Sequence, residues 1–146
     1  MEFDKDFLGK LFEQAVTNPR LRQNFDLRTS PADTSQRMLN ALLPGTKVPI
    51  HRHEDSTETV ICLVGKLEEI IYEEVNEYIY EATSCCGDVT RQRKIKEISR
   101  QILSPAEGKF GIQIPAGAWH TINVIEPSVI FEAKDGAYNE YGNTTD

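Results

Sequence analysis

The stretch PGTKVPIHRHEDSTETVICLVG, residues 44–65, holds two of the chain's three histidines one residue apart, with a glutamate five positions after the second. Alternate residues of a strand project to the same face, so a strand here sets His51 and His53 side by side, about 6.6 Å apart at Cα, with Arg52 turned away. EDST then reads as a turn that brings the chain back, so that Glu58 opens the neighbouring strand and adds a carboxylate to the two ring nitrogens. Val60, Cys62 and Val64 share the face of Glu58 and form an apolar lining, and Gly65 ends that strand. The third histidine, His120, follows IPAGAW, a Pro and Gly turn from which a new strand starts with its first inward side chain aimed at the same place. Neutral imidazoles and a carboxylate make a mononuclear metal site. The donors His51, His53, Glu58 and His120 suit one divalent ion, Zn, Fe, Mn, Ni or Co, without choosing among them.

The rest of the chain frames that site. At 146 residues it is the size of one domain with one core. Hydrophobic residues make up 39% and charged residues 27%, with no run long enough to cross a bilayer. The opening MEFDKDFLGKLFEQAV is acidic and amphipathic, unlike a secretory signal, so a cytoplasmic location is expected. A formal charge of −7 repels a phosphate backbone, and the basic residues Arg20, Arg22 and Arg28 form only a short face. Neither nucleic acid nor membrane is an expected partner. The cysteines, Cys62 with the adjacent Cys85 and Cys86, lack CxxC spacing, which suits a reducing compartment and excludes a zinc ribbon.

Phe3, Phe7, Leu8, Leu11, Phe12, Ala15 and Val16 recur at helical intervals until Asn18 and Pro19 end the pattern, so residues 1–19 read as a helix packed on the outside of the domain. From Met38 the signal becomes short apolar runs separated by turns: MLNALLPG, TVICLVG, EEIIYEEV, FGIQIPAG, HTINVIEP and SVIFEAKDG. Many short strands with Gly and Pro punctuation predict an all-β sandwich or barrel. Residues 73–103 read either as a hairpin arm or as a short helix, because Ile95, Ile98 and Ile102 also fit a helical period. The last residues, GNTTD, read as a frayed tail.

Residues 45–65 resemble the first cupin motif, Gly, five residues, His, one, His, four, Glu, six, Gly, at every position. PAGAWH, residues 115–120, resembles the core of the second motif, with His120 as its metal ligand; the upstream Gly is not five residues before Pro115, and Asn123 falls one place early. RLRQNFDL, QRMLNALLPGTKVPIHRH, LSPAEGKFGIQIPAGAWHTI and FEAKDGAY together are similar to the WbuC-type cupin fold metalloproteins, small proteins often associated with bacterial surface-polysaccharide gene clusters. The similarity covers most of residues 20–138. It departs at Arg28, where a histidine is expected, and around Cys85 to Arg100, where the chain is longer than usual. The resemblance implies a single-domain jelly-roll β-barrel, residues 20–138, with its pocket at the barrel mouth, preceded by the helix and followed by a tail, 139–146. It also implies pairing through the sheets into a homodimer.

Other residues divide between site and scaffold. Cys62, on an inward strand face, reads first as a small core hydrophobe, Cys85 and Cys86 as loop residues, and Trp119 as a packing residue. Arg20, Arg22 and Arg28 are candidates to hold a small anionic ligand. Tyr72, Glu132, Lys134 and Tyr138 are the groups that could act as acid or base, with Glu132 and Tyr72 the first candidates. Two classes of function stay open. A metalloenzyme would use free coordination positions for an isomerase- or epimerase-like reaction on a carbohydrate-derived acid in surface-polysaccharide synthesis, or for dioxygen chemistry. A binding module would fix a sugar or carboxylate without turnover.

Overall fold

The computed structural model describes residues 1–82 and 87–136 and the backbone of 143–145. Helix α1, Lys5–Thr17, starts where the Asp4 side chain accepts a hydrogen bond from the Phe7 N–H at 2.9 Å, and it ends where Asn18 turns extended. Eight strands follow among the described residues: β1 Arg22–Asp26, β2 Ser35–Leu42, β3 His51–His53, β4 Glu58–Ala82, β5 Gly87–Leu103, β6 Gly111–Ile114, β7 Trp119–Asp135 and β8 Asn143–Thr145. All pairings are antiparallel, in the order β1-β2-β7-β3-β8, with β4 joined to β5, β6 and β7. None of the helices among the described residues is long and apolar enough to cross a membrane.

Strand alternation sorts side chains into two apolar layers. Leu42, Val60, Cys62, Leu67, Leu103, Ile114, Val124 and Ile130 pack inside the barrel. Leu39, Ala41 and Val129, from the opposite faces of β2 and β7, meet Leu11 and Ala15 of α1, with Phe7, Phe12, Phe25 and Phe131 around them. The helix therefore covers the outer face of the β2–β7 sheet. Val16 and Phe3, which fit its period, lie exposed.

Several expectations are corrected. Gly65 does not end its strand: β4 continues to Ala82 through a register shift, and Val64, expected to line the site, is 40% exposed because the bend turns it outward. HTINVIEP and SVIFEAKDG are one strand, β7, bent at Pro127. Gly65 has φ +96°, and a Cβ there would run into the Pro127 carbonyl and Ser128. The two strands thus cross at a corner that only glycine allows. Beyond it, β7 pairs along its first half with β4 after Lys66, and along its second half with both β2 and the start of β4.

The helical alternative for 73–103 fails. β4 and β5 form a long ribbon, with Ile98 the extra residue between the pairs Ile71–Ser99 and Tyr72–Glu97. Within the expected tail, residues 143–145 pair with His51–His53 as β8. Cys85, Cys86 and Tyr138 lie outside the described residues.

Candidate metal centre

Strand β3 is only three residues long, held between β7 and β8, and it carries two of the histidines. His51 stands in register with His120, the second residue of β7. The turn at 117 is fastened to β3 by the Gly117 N–H donating to the His53 carbonyl at 2.7 Å. The result is a group of three imidazoles, His51, His53 and His120, with donor atoms within 4.8 Å of one another. Their ring centroids are 4.3 Å apart for His51 and His120, 5.1 Å for His51 and His53, and 5.4 Å for His53 and His120. Glu58, at the start of β4, joins them through His53, its Oε2 lying 2.7 Å from His53 Nε2. Arg52 faces the other way, over Trp119, as strand alternation requires.

The hydrogen bonds fix which nitrogens point inward. His51 Nδ1 lies 2.8 Å from the Pro49 carbonyl and His120 Nδ1 2.9 Å from that of Ala118. A carbonyl only accepts, so each Nδ1 carries the proton and each Nε2 presents a lone pair. Holding the far nitrogen on a backbone carbonyl is how metal-binding histidines are commonly oriented. Among the described atoms, His120 Nε2 and both nitrogens of His53 are buried without a hydrogen-bond partner. The 2.7 Å approach of Glu58 to His53 sets a carboxylate oxygen directly against a ring nitrogen. Two ligands about 2.1 Å from one ion at a right angle would stand about 3 Å apart, near that spacing. Orphaned buried nitrogens are costly, and a cation would take one nitrogen each from His53 and His120, so the donor set fits a divalent ion.

Burial sets the charges. It pushes the His51 pKa down to about 4, aided by the charge of His120, and it lowers that of His120 as well. Burial alone would raise Glu58, but the neighbouring imidazoles hold it below its usual value. His51 and His120 are therefore neutral imidazoles beside an ionised Glu58 at neutral pH, the protonation a metal needs.

Two cavities meet at these residues. The outer one, about 220 Å³, is lined by Arg20, Arg22, Asn24, Gln36, Asn40, His51, His53, Glu58 and Glu132 among others. The inner one, about 130 Å³, adds His120, Thr121 and Glu69 while sharing Arg22, Asn40, His51, Glu58 and Glu132. Glu132 is pushed up to about 8 by burial and by the charge of Glu58, against the opposing pull of Asn40 and Arg22. Glu69, 2% exposed, is raised well above the carboxylate range by burial and by Glu58 and Glu132. Arg22 donates to the Lys47 carbonyl at 2.7 Å. Between it and Arg20 lies Leu21 at φ 55°, a left-handed conformation unusual for leucine. That kink turns the chain from α1 into β1 with both arginines on the cavity wall.

The anticipated residues divide. The three histidines, Glu58, Glu132, Arg20 and Arg22 come together. Arg28 does not: it forks onto Asp26, Nη2 to Oδ2 at 2.9 Å and Nε to both oxygens, and opens on a separate cleft. Tyr72 is corrected as well. It sits opposite Trp119 in register, one residue out of phase with His120, beside Glu97 and Arg100 on the far face. Lys134 stands opposite Glu58, its pKa lowered by burial. Cys62 packs in the core, its thiol pushed up to about 11 by burial. Gln36, Asn40 and Glu69 were missed, although parity flags them: Gln36 and Asn40 share a face with Leu42, and Glu69 shares one with Leu67.

A family model described as Domain of unknown function (DUF6016) matches residues 3–83. No curated protein matches the chain by sequence. Among solved structures, the chain is similar to a recombinant oxalate oxidase in complex with glycolate, at 13% identity and TM-score 0.56 over 88% of this chain and 57% of that one. It is also similar to the capsular polysaccharide assembling protein CapF from Staphylococcus aureus, at 16% identity and TM-score 0.55 over 88% and 32%. KdgF from Halomonas sp. aligns at 15% identity and TM-score 0.52 over 86% of both chains. These neighbours are cupin-fold proteins, and the fold of this chain is the cupin jelly roll. The chain spans little more than half of the oxalate oxidase and about a third of CapF.

Proposed function

The chain belongs to the DUF6016 family, and from its three-histidine cluster we propose that it is a divalent-metal cupin acting on a small, anionic, carbohydrate-derived molecule. The observation that carries this reading is the convergence of three buried imidazoles and Glu58 on a cavity whose wall also holds Arg20 and Arg22. His51, His53, His120 and Glu58 would hold the ion, which when bound supplies Lewis acidity toward ligand oxygens.

The chain's own groups do the rest. Arg22, with Arg20 beside it, receives the anionic group, since a guanidinium pairs two N–H donors with a carboxylate or phosphate. Among the described atoms, Gln36 Oε1 and Asn40 Oδ1 are buried without partners, and they accept from ligand hydroxyls. A cavity of about 220 Å³ is smaller than the roughly 300–1,000 Å³ of drug-sized sites, which limits the ligand to about one sugar residue. Glu132 lies on the wall of both cavities; its ionised form, the minor one below about pH 8 in the metal-free fold, takes a proton from a ligand carbon and returns it, so the reaction is an isomerisation or epimerisation with no net redox change. The similarity to WbuC-type cupins supports a setting in surface-polysaccharide synthesis and, through the sheet pairing that the resemblance implies, a homodimer as the working form.

The test is to incubate metal-loaded protein with sugar acids and activated sugars in deuterated water. Solvent deuterium in recovered material, lost in Glu132→Gln and in His120→Ala, is the expected result. Tight binding without exchange across the panel would replace the enzyme reading with that of a binding module.

A further inference from the structure

On the far face of the strands that carry the histidines, one carboxylate oxygen gathers three donors. Glu74 Oε1 accepts from Trp119 Nε1–H at 2.9 Å, from Arg93 Nη1 at 3.0 Å and from Arg52 Nη1 at 3.3 Å. The guanidinium carbons of Arg52 and Arg93 lie 4.6 and 5.5 Å from the centroid of the Trp119 ring, one layer of charge over an aromatic face. Arg52 separates His51 from His53, and Trp119 precedes His120. The cluster therefore grips the immediate chain neighbour of every histidine in the site.

That grip matters because the ladder beneath it is slight. Strands β3 and β7 share a single registered pair, His51 with His120. A small twist of three-residue β3 against β7 would swing two imidazoles relative to the third, and metal sites tolerate little such error in ligand placement. Glu74 lies where β4 leaves the barrel for the ribbon, two residues past the last β4–β7 pair at Tyr72. It is the point at which the ribbon is tied to both ligand strands.

We propose that Glu74 is a positioning residue for the three-histidine site, locking β3 to β7 through Arg52 and Trp119. This rests on the reading of the histidines as metal ligands. Glu74 touches none of them and acts only through its two clamped neighbours. Exposed ion pairs contribute little to global stability, so the role shows in the geometry of the site and not in the unfolding temperature.

The test titrates cobalt(II) into the chelator-treated full chain, reading the visible ligand-field bands and the quenching of Trp119, the single tryptophan. Glu74→Ala should weaken cobalt binding about 10- to 100-fold and shift the bands, with the apo unfolding temperature nearly unmoved. Glu74→Gln, which keeps an acceptor for Trp119 but removes the charge facing Arg52 and Arg93, should fall between and serves as the comparison if the alanine variant does not fold. Glu77→Ala, which removes an ion pair with Lys94 at 2.6 Å in the same ribbon, should match the unaltered chain. Unchanged affinity and spectrum in Glu74→Ala, or equal weakening in Glu77→Ala, would overturn the proposal while the metal reading stood. Failure of the unaltered chain to take up cobalt would overturn the metal reading, and the proposal with it.

Discussion

Replacing Glu132 by glutamine tests the electrostatics of the pocket. In the metal-free fold this carboxyl is pushed up to about 8 by burial and by ionised Glu58, whereas in the unfolded chain it titrates at its ordinary value of 4.5. Between those values the folded state keeps a proton that the unfolded state has lost. Stability therefore falls as pH rises, the slope following the difference in bound protons. The contribution is fully present below about pH 4.5 and is lost as pH passes through about 8. A shift of that size corresponds to about 5 kcal/mol at most, and water reaching the cavity wall reduces it to roughly 2–5 kcal/mol. The Glu132→Gln protein lacks this titration, so its stability relative to the unaltered chain should improve by that amount between pH 5 and 9. Burial of His51, whose pKa drops to about 4, works in the opposite direction on acidification. It acts on both proteins and cancels in the difference. Urea unfolding of chelator-treated protein at several pH values gives the measurement. Parallel stability profiles would refute the assignment of a buried, proton-holding carboxyl at this position.

Three further outcomes follow from the same geometry. His53→Ala and His120→Ala should purify nearly free of metal. In the unaltered chain occupancy should persist below the usual histidine range near ~6.5, because burial keeps His51 neutral to about pH 4; metal analysis showing full occupancy in both variants would remove the site assignment. Arg22→Ala should lower affinity for carboxylate- or phosphate-bearing ligands at least tenfold, about the weight of one charge-assisted hydrogen bond, whereas Arg28→Ala should leave it unchanged because Arg28 is committed to Asp26; calorimetry showing equal losses would contradict the cavity wall described above. Gly65→Ala should destabilise by about 3 kcal/mol or more, combining left-handed strain with a clash against the Pro127 carbonyl, and a denaturation midpoint close to that of the unaltered chain would show that the corner is built differently.

Legibility of the site followed the chemistry of each residue. Histidines spaced for one strand face, with a glutamate after a turn, are rare enough in a chain with three histidines that spacing alone brings His51, His53 and Glu58 together. Direction along a strand is equally readable, and Arg52 faces away as expected. Facing across strands was not. Tyr72 follows a long bent strand and a register shift, so its phase relative to His120 depends on pairings that no local pattern encodes. Glu132 has the same difficulty and resolves the other way, onto the cavity wall. Arg28 resembles Arg22 in composition and neighbourhood, and what separates them is Asp26, which neutralises one and leaves the other to the pocket.

The larger misreading was of length. Glycine after an apolar run signals the end of a strand in most contexts, yet at Gly65 the missing Cβ makes room for Pro127, and the strand bends instead of stopping. The same holds at Pro127, where a residue that usually interrupts pairing sits at the corner of a 17-residue strand. A jelly roll needs strands that serve two walls, so its corners carry the turn-forming residues that elsewhere separate elements. The ribbon beyond Tyr72 leaves Tyr78, Ile79, Tyr80 and Val89 exposed and buries no apolar face, so alternation, which reads burial and not pairing, is silent there. At its base one polar contact, at Glu74, meets the neighbours of all three histidines. The segment least legible as a strand is thus the one anchored closest to the proposed chemistry.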